Sequence, residues 1–275
     1  MKRLPVFARA SRSAALAVAA LTLASPAPAV AGEPAVVRLE AVGAAFRATL
    51  SDGSVKQGAE LTGAMLVFNV NGAPLRVRIA AVSPDPDDRS GALLLHDFRV
   101  AATGEPLCAA GPDGKRLGFP LAGRTTADGR WSNTEPGTFE LVCTAGAQGK
   151  CVRFGYQPWT TAPDGRPMRD YYNACVRMVR ADYCGDNRPW TRNGTAIDLW
   201  DRLGIQTSDS ADDATYSFEA GWGPDGAVCV ARTRIPETVT LASLKHYCPR
   251  LAAAPACDQQ SARAAGALLF NRSRP

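Results

Sequence analysis

The stretch MRDYYNACVRMVRADYCGDN, residues 168–187, decides how the surrounding chain folds. Its apolar side chains recur at intervals of three and four residues: Tyr172, Cys175, Val176, Val179 and Tyr183. This spacing places them along one face of a helix, so we predict a helix over 168–183. The residues that follow, 184–187, include a glycine and an asparagine, which tolerate left-handed backbone angles. They predict a helix end followed by a tight turn.

Most of the chain on either side of this helix has the pattern of β-strands. Alternating apolar residues flank Asn71-Gly72, which predicts a hairpin of strands 65–70 and 75–82. The turn sequence 223–226 predicts a second hairpin, and 240–247 a short helix. Further predicted strands are 46–50, 93–100, 139–143 and 151–156, the last two joined by a turn at 145–150. The predicted fold is α+β and β-dominated, with antiparallel hairpins around one central helix and disulfides stapling it.

The distribution of cysteines suggests four regions along the chain. Residues 1–31 form a signal peptide, and 32–105 a β-rich region without cysteine. Residues 106–257 hold every cysteine, and the tail 258–275 is polar and rich in small residues. We expect that tail to be loosely ordered, with docking limited to its apolar residues 268–270.

The N-terminus has the three parts of an export signal. An apolar stretch at 14–24 is too short to cross a bilayer as a helix, and Ala29-Val30-Ala31 is a small-x-small cleavage site. The mature chain is therefore expected to begin near Gly32. No cysteine lies at this point, so we expect a periplasmic or extracellular protein without a lipid anchor. The basic residues of the signal are Lys2, Arg3, Arg9 and Arg12.

The charge balance changes once the signal is removed. The full chain has 31 basic and 26 acidic residues, a net charge of +5. The signal holds four of the basic residues and no acid, so the mature chain has a net charge of +1. The remaining basic residues are interspersed with acids, and a nucleic-acid partner is not expected. No later apolar run predicts a membrane span.

Eight cysteines in an exported chain predict four disulfides. None has C-x-x-C spacing, and the two histidines lack the neighbours of a zinc site, so we expect no metal or other cofactor. On the predicted helix Cys175 and Cys184 are too far apart to pair with each other, whereas Cys248 and Cys257 could close a local loop. The pairing otherwise stays open among Cys108, Cys143, Cys151, Cys175, Cys184, Cys229, Cys248 and Cys257.

Polar residues are concentrated in the segment 180–200, which combines a helix end with two turns. Irregular backbone needs side-chain hydrogen bonds, and Asp and Asn supply them. We therefore interpret Asp182, Asp186, Asn187 and Asn193 first as turn-stabilising residues.

The same segment also offers candidate site residues. Two carboxylates on either side of a groove could hydrolyse a glycosidic bond, and the acids to consider are Asp182, Asp186, Asp198 and Glu219. Asp182, Asp186, Asp198 and Asp201 could alternatively converge as calcium ligands, although the EF-hand spacing fails. Trp190 and Trp200 could stack on sugars, but core packing beside a disulfide is the favoured interpretation.

Motifs for other chemistries are missing from the sequence. There is no G-x-S-x-G elbow and no phosphate-binding glycine loop. His96 and His246 are isolated in the sequence, and each could act as a base, although a structural role is favoured.

The segment ACVRMVRADYCGDNRPWTRNGTAIDLWD, residues 174–201, and the shorter KCVRFGYQPW, residues 150–159, resemble the ADYC-domain family of exported bacterial proteins. The resemblance implies export and shared architecture; the family brings no assigned reaction or catalytic residue to carry over. Two positions depart from the family pattern: Asn187 where glycine is common, and Asn173 where a histidine is expected.

The leading hypothesis is a non-catalytic interaction or structural protein of the cell envelope or exterior. A secreted hydrolase acting on glycan through paired carboxylates is the first alternative, and a calcium- or small-ligand-binding module is the second. An envelope protein or a glycan is the expected kind of partner.

Overall fold

The computed structural model of the chain describes residues 34–70, 72–88, 90–254 and 256–274. The predicted signal peptide, the predicted start at Gly32 and Asn71 of the first hairpin turn lie outside these residues. No helix in the described part of the chain is both long and apolar enough to cross a membrane.

The described part of the chain is dominated by antiparallel strands, with five α-helices between them and a 3-10 turn at Gly58–Leu61. The strands are β1 (Val36–Val42), β2 (Ala45–Leu50), β3 (Val55–Gln57), β4 (Met65–Val70), β5 (Ala73–Pro84), β6 (Leu94–Val100), β7 (Gly118–Ala122), β8 (Arg124–Thr125), β9 (Trp131–Ser132), β10 (Phe139–Cys143), β11 (Ile197–Asp201), β12 (Ser217–Gly223), β13 (Gly226–Val230) and β14 (Leu269–Ser273). The helices are α1 (Ala147–Arg153), α2 (Met168–Arg180), α3 (Leu241–Tyr247), α4 (Pro249–Ala252) and α5 (Gln259–Ala264).

The larger sheet has five strands in the order β10-β7-β6-β5-β4, and a three-stranded sheet β1-β2-β3 accompanies it. Both predicted hairpins form, β4–β5 and β12–β13, and every pair in the larger sheet is antiparallel. Apolar residues such as Val77, Ile79 and Phe98 are buried on one face of this sheet. The sheet takes strands from both sides of residue 105.

The smaller sheet has the order β11-β14-β12-β13 and lies between two helices. Alternation along each strand separates the two faces: Leu269 belongs to the core cluster shared with α2, and Phe270 to the cluster shared with α5. Strand β14 is central and fully paired. The prediction of a loosely ordered tail is therefore wrong, whereas the predicted docking of residues 268–270 is confirmed.

Helix α1 occupies the place of a predicted turn and strand at 145–150 and 151–156. The prediction is wrong because Cys151 and Val152 are buried on one face of a helix that packs against α2. Gly149 permits the packing, since a Cβ there would lie 2.2 Å from the carbonyl oxygen of Cys143. The carbonyl group approaches too closely for any larger residue.

Three disulfides join elements that are distant in sequence. They are Cys108–Cys143, Cys151–Cys175 and Cys229–Cys257. The second ties α1 to α2, and the third ties β13 to the entry of α5. Since Cys257 pairs with Cys229, the local loop considered between Cys248 and Cys257 does not form.

Cys184 and Cys248 are free thiols in this structure. The Cys248 thiol is one of the groups that raise the pKa of Cys184, so the two side chains are neighbours. The predicted fourth disulfide is therefore not formed here, but its two partners are side by side.

A buried histidine makes stability depend on pH. His96 of β6 is fully buried, stacks on Phe98 and meets Phe46 edge-on, and its Nδ1 lies 3.2 Å from the Leu94 carbonyl. Burial lowers the pKa of His96 from 6.5 to about 4. Protonation therefore favours the unfolded chain. The stabilisation is complete above the unfolded pKa and is lost as the pH falls from 6.5 towards about 4.

We expect the free energy of unfolding to fall by about 2–3 kcal/mol between about pH 7.5 and about pH 4.5 because of His96. Urea denaturation at several pH values measures this slope. His96→Leu should remove it, whereas replacing the exposed His246 by glutamine should leave it unchanged. An unaltered slope in His96→Leu would contradict the assignment.

Candidate functional site

Helix α2 ends in a turn held by the carboxylate of Asp182. Ala181 is left-handed, with φ of 50°, so the helix ends three residues before the predicted boundary. The fully buried Asp182 accepts hydrogen bonds from the backbone N–H groups of Gly185 (3.0 Å), Asp186 (3.2 Å) and Asn187 (2.9 Å). The guanidinium of Arg177, itself 1% exposed, completes the set. The turn-stabilising interpretation of Asp182 agrees with this geometry.

The turn packs tightly against the β12–β13 hairpin. Gly185 has φ of 74°, and a Cβ there would lie 2.0 Å from the carbonyl oxygen of Asp225. Asn187 has φ of 69°, a left-handed conformation that asparagine and glycine tolerate better than other residues. Backbone geometry therefore explains why small or amide residues occupy this turn.

A second buried carboxylate lies at the centre of the smaller sheet. Glu219 of β12 is fully buried and accepts hydrogen bonds from four donors. Tyr183 Oη (3.0 Å) and Arg234 Nη2 (2.9 Å) reach Oε1, while Arg234 Nε (3.0 Å) and Asn271 Nδ2 (2.9 Å) reach Oε2. The charge of Glu219 is thus paired with that of Arg234, and each carboxylate oxygen accepts two hydrogen bonds. A carboxylate can be buried only when its charge is compensated in this way.

Arg234 uses all of its guanidinium N–H groups and caps helix α2. Besides Glu219, its donors reach the carbonyls of Met178 (2.7 Å) and Val179 (3.1 Å) and the hydroxyl of Thr191 (3.2 Å). The carbonyls at a helix C-terminus lack partners within the helix and carry partial negative charge. Arg234 therefore joins the end of α2 to the sheet.

The segment Ala181-Asp182-Tyr183-Cys184 thus contributes two residues, Asp182 and Tyr183, to a buried brace between α2 and the smaller sheet. We use the name brace for Arg177, Asp182, Tyr183, Glu219 and Arg234. Tyr183 also stacks on Trp222, with ring centroids 5.2 Å apart. Burial raises the pKa of Tyr183 well above its usual value, so its hydroxyl stays protonated and donates to Glu219. Burial also raises the pKa of Asp182, and Arg177 opposes that rise.

Each of the other candidate acids, Asp198, Asp186 and Asp201, has hydrogen-bond partners of its own. Asp198 accepts from the hydroxyls of Ser208 (2.6 Å) and Ser210 (2.6 Å). Burial alone raises the pKa of Asp198, but these bonds outweigh it and the pKa is lowered. Asp186 accepts from the hydroxyl of Tyr247, and Asp201 from that of Tyr156 at 2.7 Å.

The two candidate tryptophans, Trp190 and Trp200, pack against neighbouring side chains and are not exposed to a ligand. Trp190 is 9% exposed and lies under the guanidinium of Arg188, 4.1 Å from the ring centroid. Trp200 is 8% exposed and stacks on Phe270 at 5.9 Å. Neither ring offers an open face to a sugar, which agrees with the core-packing interpretation.

Asn173 is a buried side chain that links β9 to α2. The Asn173 side chain accepts from the backbone N–H of Trp131 at 2.8 Å and donates back to its carbonyl, so it holds β9 against α2.

Within residues 34–274, apart from the positions not described, no group of three or more His, Cys, Asp or Glu side chains is arranged to hold a metal ion.

A cavity of about 600 Å³ opens beside the brace, between α1, the end of α2 and the segment 189–197. Sequence reasoning missed it, because its walls come from segments far apart in the chain. Its apolar wall includes Phe154, Val179 and Ile197. Its charged lining consists of basic residues: Lys150, Arg153, Arg180, Arg192 and Arg234.

Comparison with known proteins shows the family to which this chain belongs. The model of the ADYC domain matches residues 58–236, which is more than half of the chain and contains the brace. No curated protein and no solved structure matches the chain. The chain belongs to the ADYC domain family.

Proposed function

We propose that this protein is an exported, non-catalytic binding or structural protein of the cell envelope or exterior. One observation carries the proposal: the brace carboxylates of Asp182 and Glu219 are fully buried, and each accepts hydrogen bonds from four donors. A catalytic acid or base must reach its substrate. These two groups face inward, so their role is to hold the fold.

Export is supported by the disulfides and by the N-terminal sequence. Disulfides persist in oxidising compartments and are rare in the cytoplasm. The chain forms three, and residues 1–31 have the composition of a cleaved signal without a lipid-attachment cysteine. Periplasmic and extracellular locations fit equally well.

The cavity beside the brace argues against glycoside hydrolysis. That reaction needs two carboxyl groups, about 5–9.5 Å apart, on either side of the scissile bond. Among the residues that the structure describes, no Asp or Glu belongs to the cavity lining, whereas five cationic side chains do. The cavity is therefore suited to binding rather than to acid–base chemistry with paired carboxylates.

Asp182→Asn tests the structural role of the motif. We expect the free energy of unfolding to fall by about 1.5–3 kcal/mol, because asparagine loses the charge-assisted bond to Arg177 while keeping an acceptor for the turn. Urea denaturation measures the loss. Asp186→Asn is the matched control, since that residue lies in the same turn but is exposed, and its effect should be smaller.

An activity assay separates this role from catalysis. The wild type and both variants are incubated with purified cell-wall glycan, and new reducing ends are counted. We expect none from any of them. Asp182→Asn protein of unchanged stability that loses a hydrolytic activity present in the wild type would refute the proposed function.

A further inference from the structure

The cavity beside the brace contains more positive charge than the protein itself neutralises. Two of its five cations are balanced internally: Arg153 pairs with Asp85 at 2.7 Å, and Arg234 pairs with Glu219 at 2.9 Å. The remaining three have no ion pair with any residue that the structure describes. They are Lys150, Arg180 and Arg192.

These three cations converge from different elements. Lys150 lies in α1, Arg180 ends α2, and Arg192 belongs to the segment that closes the opposite side. Lys150 and Arg180 are half-buried, and Arg192 is exposed. Arg180 donates from Nη2 to the carbonyl of Asn187 at 2.7 Å, whereas its buried Nε has no partner among the described residues. A buried donor left without a partner is costly, and a bound acceptor would satisfy it.

Like charges gathered in a concave site repel one another, and the cavity walls focus their field. No carboxylate in the lining relieves this repulsion. An anion would relieve it and would receive charge-assisted hydrogen bonds from the lysine and arginine groups.

The size and the walls of the cavity define the rest of the ligand. About 600 Å³ lies within the range of small-molecule sites and is far larger than an inorganic anion needs. The apolar side chains of Phe154, Val179 and Ile197 offer a surface for C–H groups, and Asn193 and Thr195 add polar groups at the rim.

We propose that this cavity binds a sugar-sized organic anion, carrying a carboxylate or a phosphate, through Lys150, Arg180 and Arg192. The proposal rests on the proposed function and deepens it by naming the ligand class. The cations would hold the anionic group, and the apolar wall would pack against the sugar ring.

Isothermal titration of the oxidised mature protein tests the site. The probes are glucuronate, glucose 6-phosphate, neutral glucose and inorganic phosphate, each at low and at high salt. We expect at least one of the two sugar anions to bind, more weakly at high salt because ions screen the partly open site. The preferred anion identifies the source of the charge. Glucose should bind at least about tenfold more weakly.

Variants locate the binding. Lys150→Gln should weaken the binding of the preferred anion at least about tenfold. Arg192→Gln, at an exposed position where the fold is unaffected, should weaken it as well. Lys56→Gln is the matched control, because Lys56 is an exposed lysine of β3 outside the cavity, and it should bind like the wild type.

Three results would overturn the inference: no binding of either sugar anion at low salt, equal loss in Lys150→Gln and Lys56→Gln, or inorganic phosphate binding as tightly as the sugar anions. Each leaves the proposed non-catalytic function intact. That function fails instead if glycan is cleaved, which the reducing-end assay detects independently.

Discussion

Replacing Glu219 by glutamine is expected to lower the free energy of unfolding by about 3–5 kcal/mol. The substitution keeps the shape of the side chain and an acceptor for Tyr183. It removes the charge that balances Arg234, a side chain only 1% exposed, and so leaves a cation buried without its partner. Breaking a buried ion pair from one side is far more damaging than replacing both partners.

Chemical denaturation followed by tryptophan fluorescence measures this change, since Trp222 stacks on Tyr183 beside the pair. Glu135→Gln is the matched control. Glu135 pairs with Arg124 on the surface, where both side chains are about half exposed, and its loss should leave stability almost unchanged. Equal effects of the two substitutions would show that the buried pair does not brace the fold.

A double replacement separates the pair from its surroundings. Glu219→Leu with Arg234→Leu removes both charges, so it should be less damaging than the two single losses combined. Some loss should remain, because Arg234 also satisfies the carbonyls of Met178 and Val179 at the end of α2. A strictly additive result would mean that the two side chains act independently.

The local parts of this fold could be predicted from the sequence. The hairpins β4–β5 and β12–β13 join neighbouring segments, so alternation and turn residues are enough to specify them. Periodicity likewise predicts the start of α2 at Met168, and the short helix expected at 240–247 corresponds to α3. Each of these elements is set by interactions within a few residues.

The elements that depend on distant partners were missed or wrongly predicted. Helix α1 was assigned to a strand, because a short run of apolar residues such as Cys151-Val152 fits either structure. Its helical form is fixed by packing on α2 and by the bond from Cys151 to Cys175. Strand β14 lies in the tail that the sequence predicts to be loosely ordered, because the chain after residue 258 is polar and rich in small residues. Inside the sheet, Asn271 bonds Glu219 and Trp222.

For the candidate site, the sequence likewise predicts the local turn but not the contacts between residues that are distant in the chain. The turn around Asp182 is local, and its role followed from the types of the neighbouring residues. Glu219 was considered as a catalytic acid, because nothing nearby in the sequence shows that Arg234 and Asn271 neutralise and saturate it. The basic cavity was missed for the same reason: Lys150, Arg180 and Arg192 meet only in the folded chain.

Folding under oxidising conditions is expected to add a fourth disulfide, between Cys184 and Cys248. The other six cysteines are already paired with one another, and these two thiols are neighbours whose pKa values are linked. Burial and the neighbouring Cys248 thiol raise the pKa of Cys184, so its reactive thiolate is scarce at neutral pH. We therefore expect the bond to form most readily during oxidative folding, before the site is buried.

Cys184→Ser should lower the free energy of unfolding of the oxidised protein by about 2–4 kcal/mol, because the bond would close the long loop between residues 184 and 248 in the unfolded chain. Cys248→Ser should do the same, and the double variant should lose little more, since one bond is lost in each case. Alkylation under denaturing conditions counts the thiols: none in the oxidised wild type, one in each single variant. Two alkylated thiols in oxidised wild-type protein, together with unchanged stability in Cys184→Ser, would show that the pair stays reduced and that the brace is held by Arg234 and Glu219 without it.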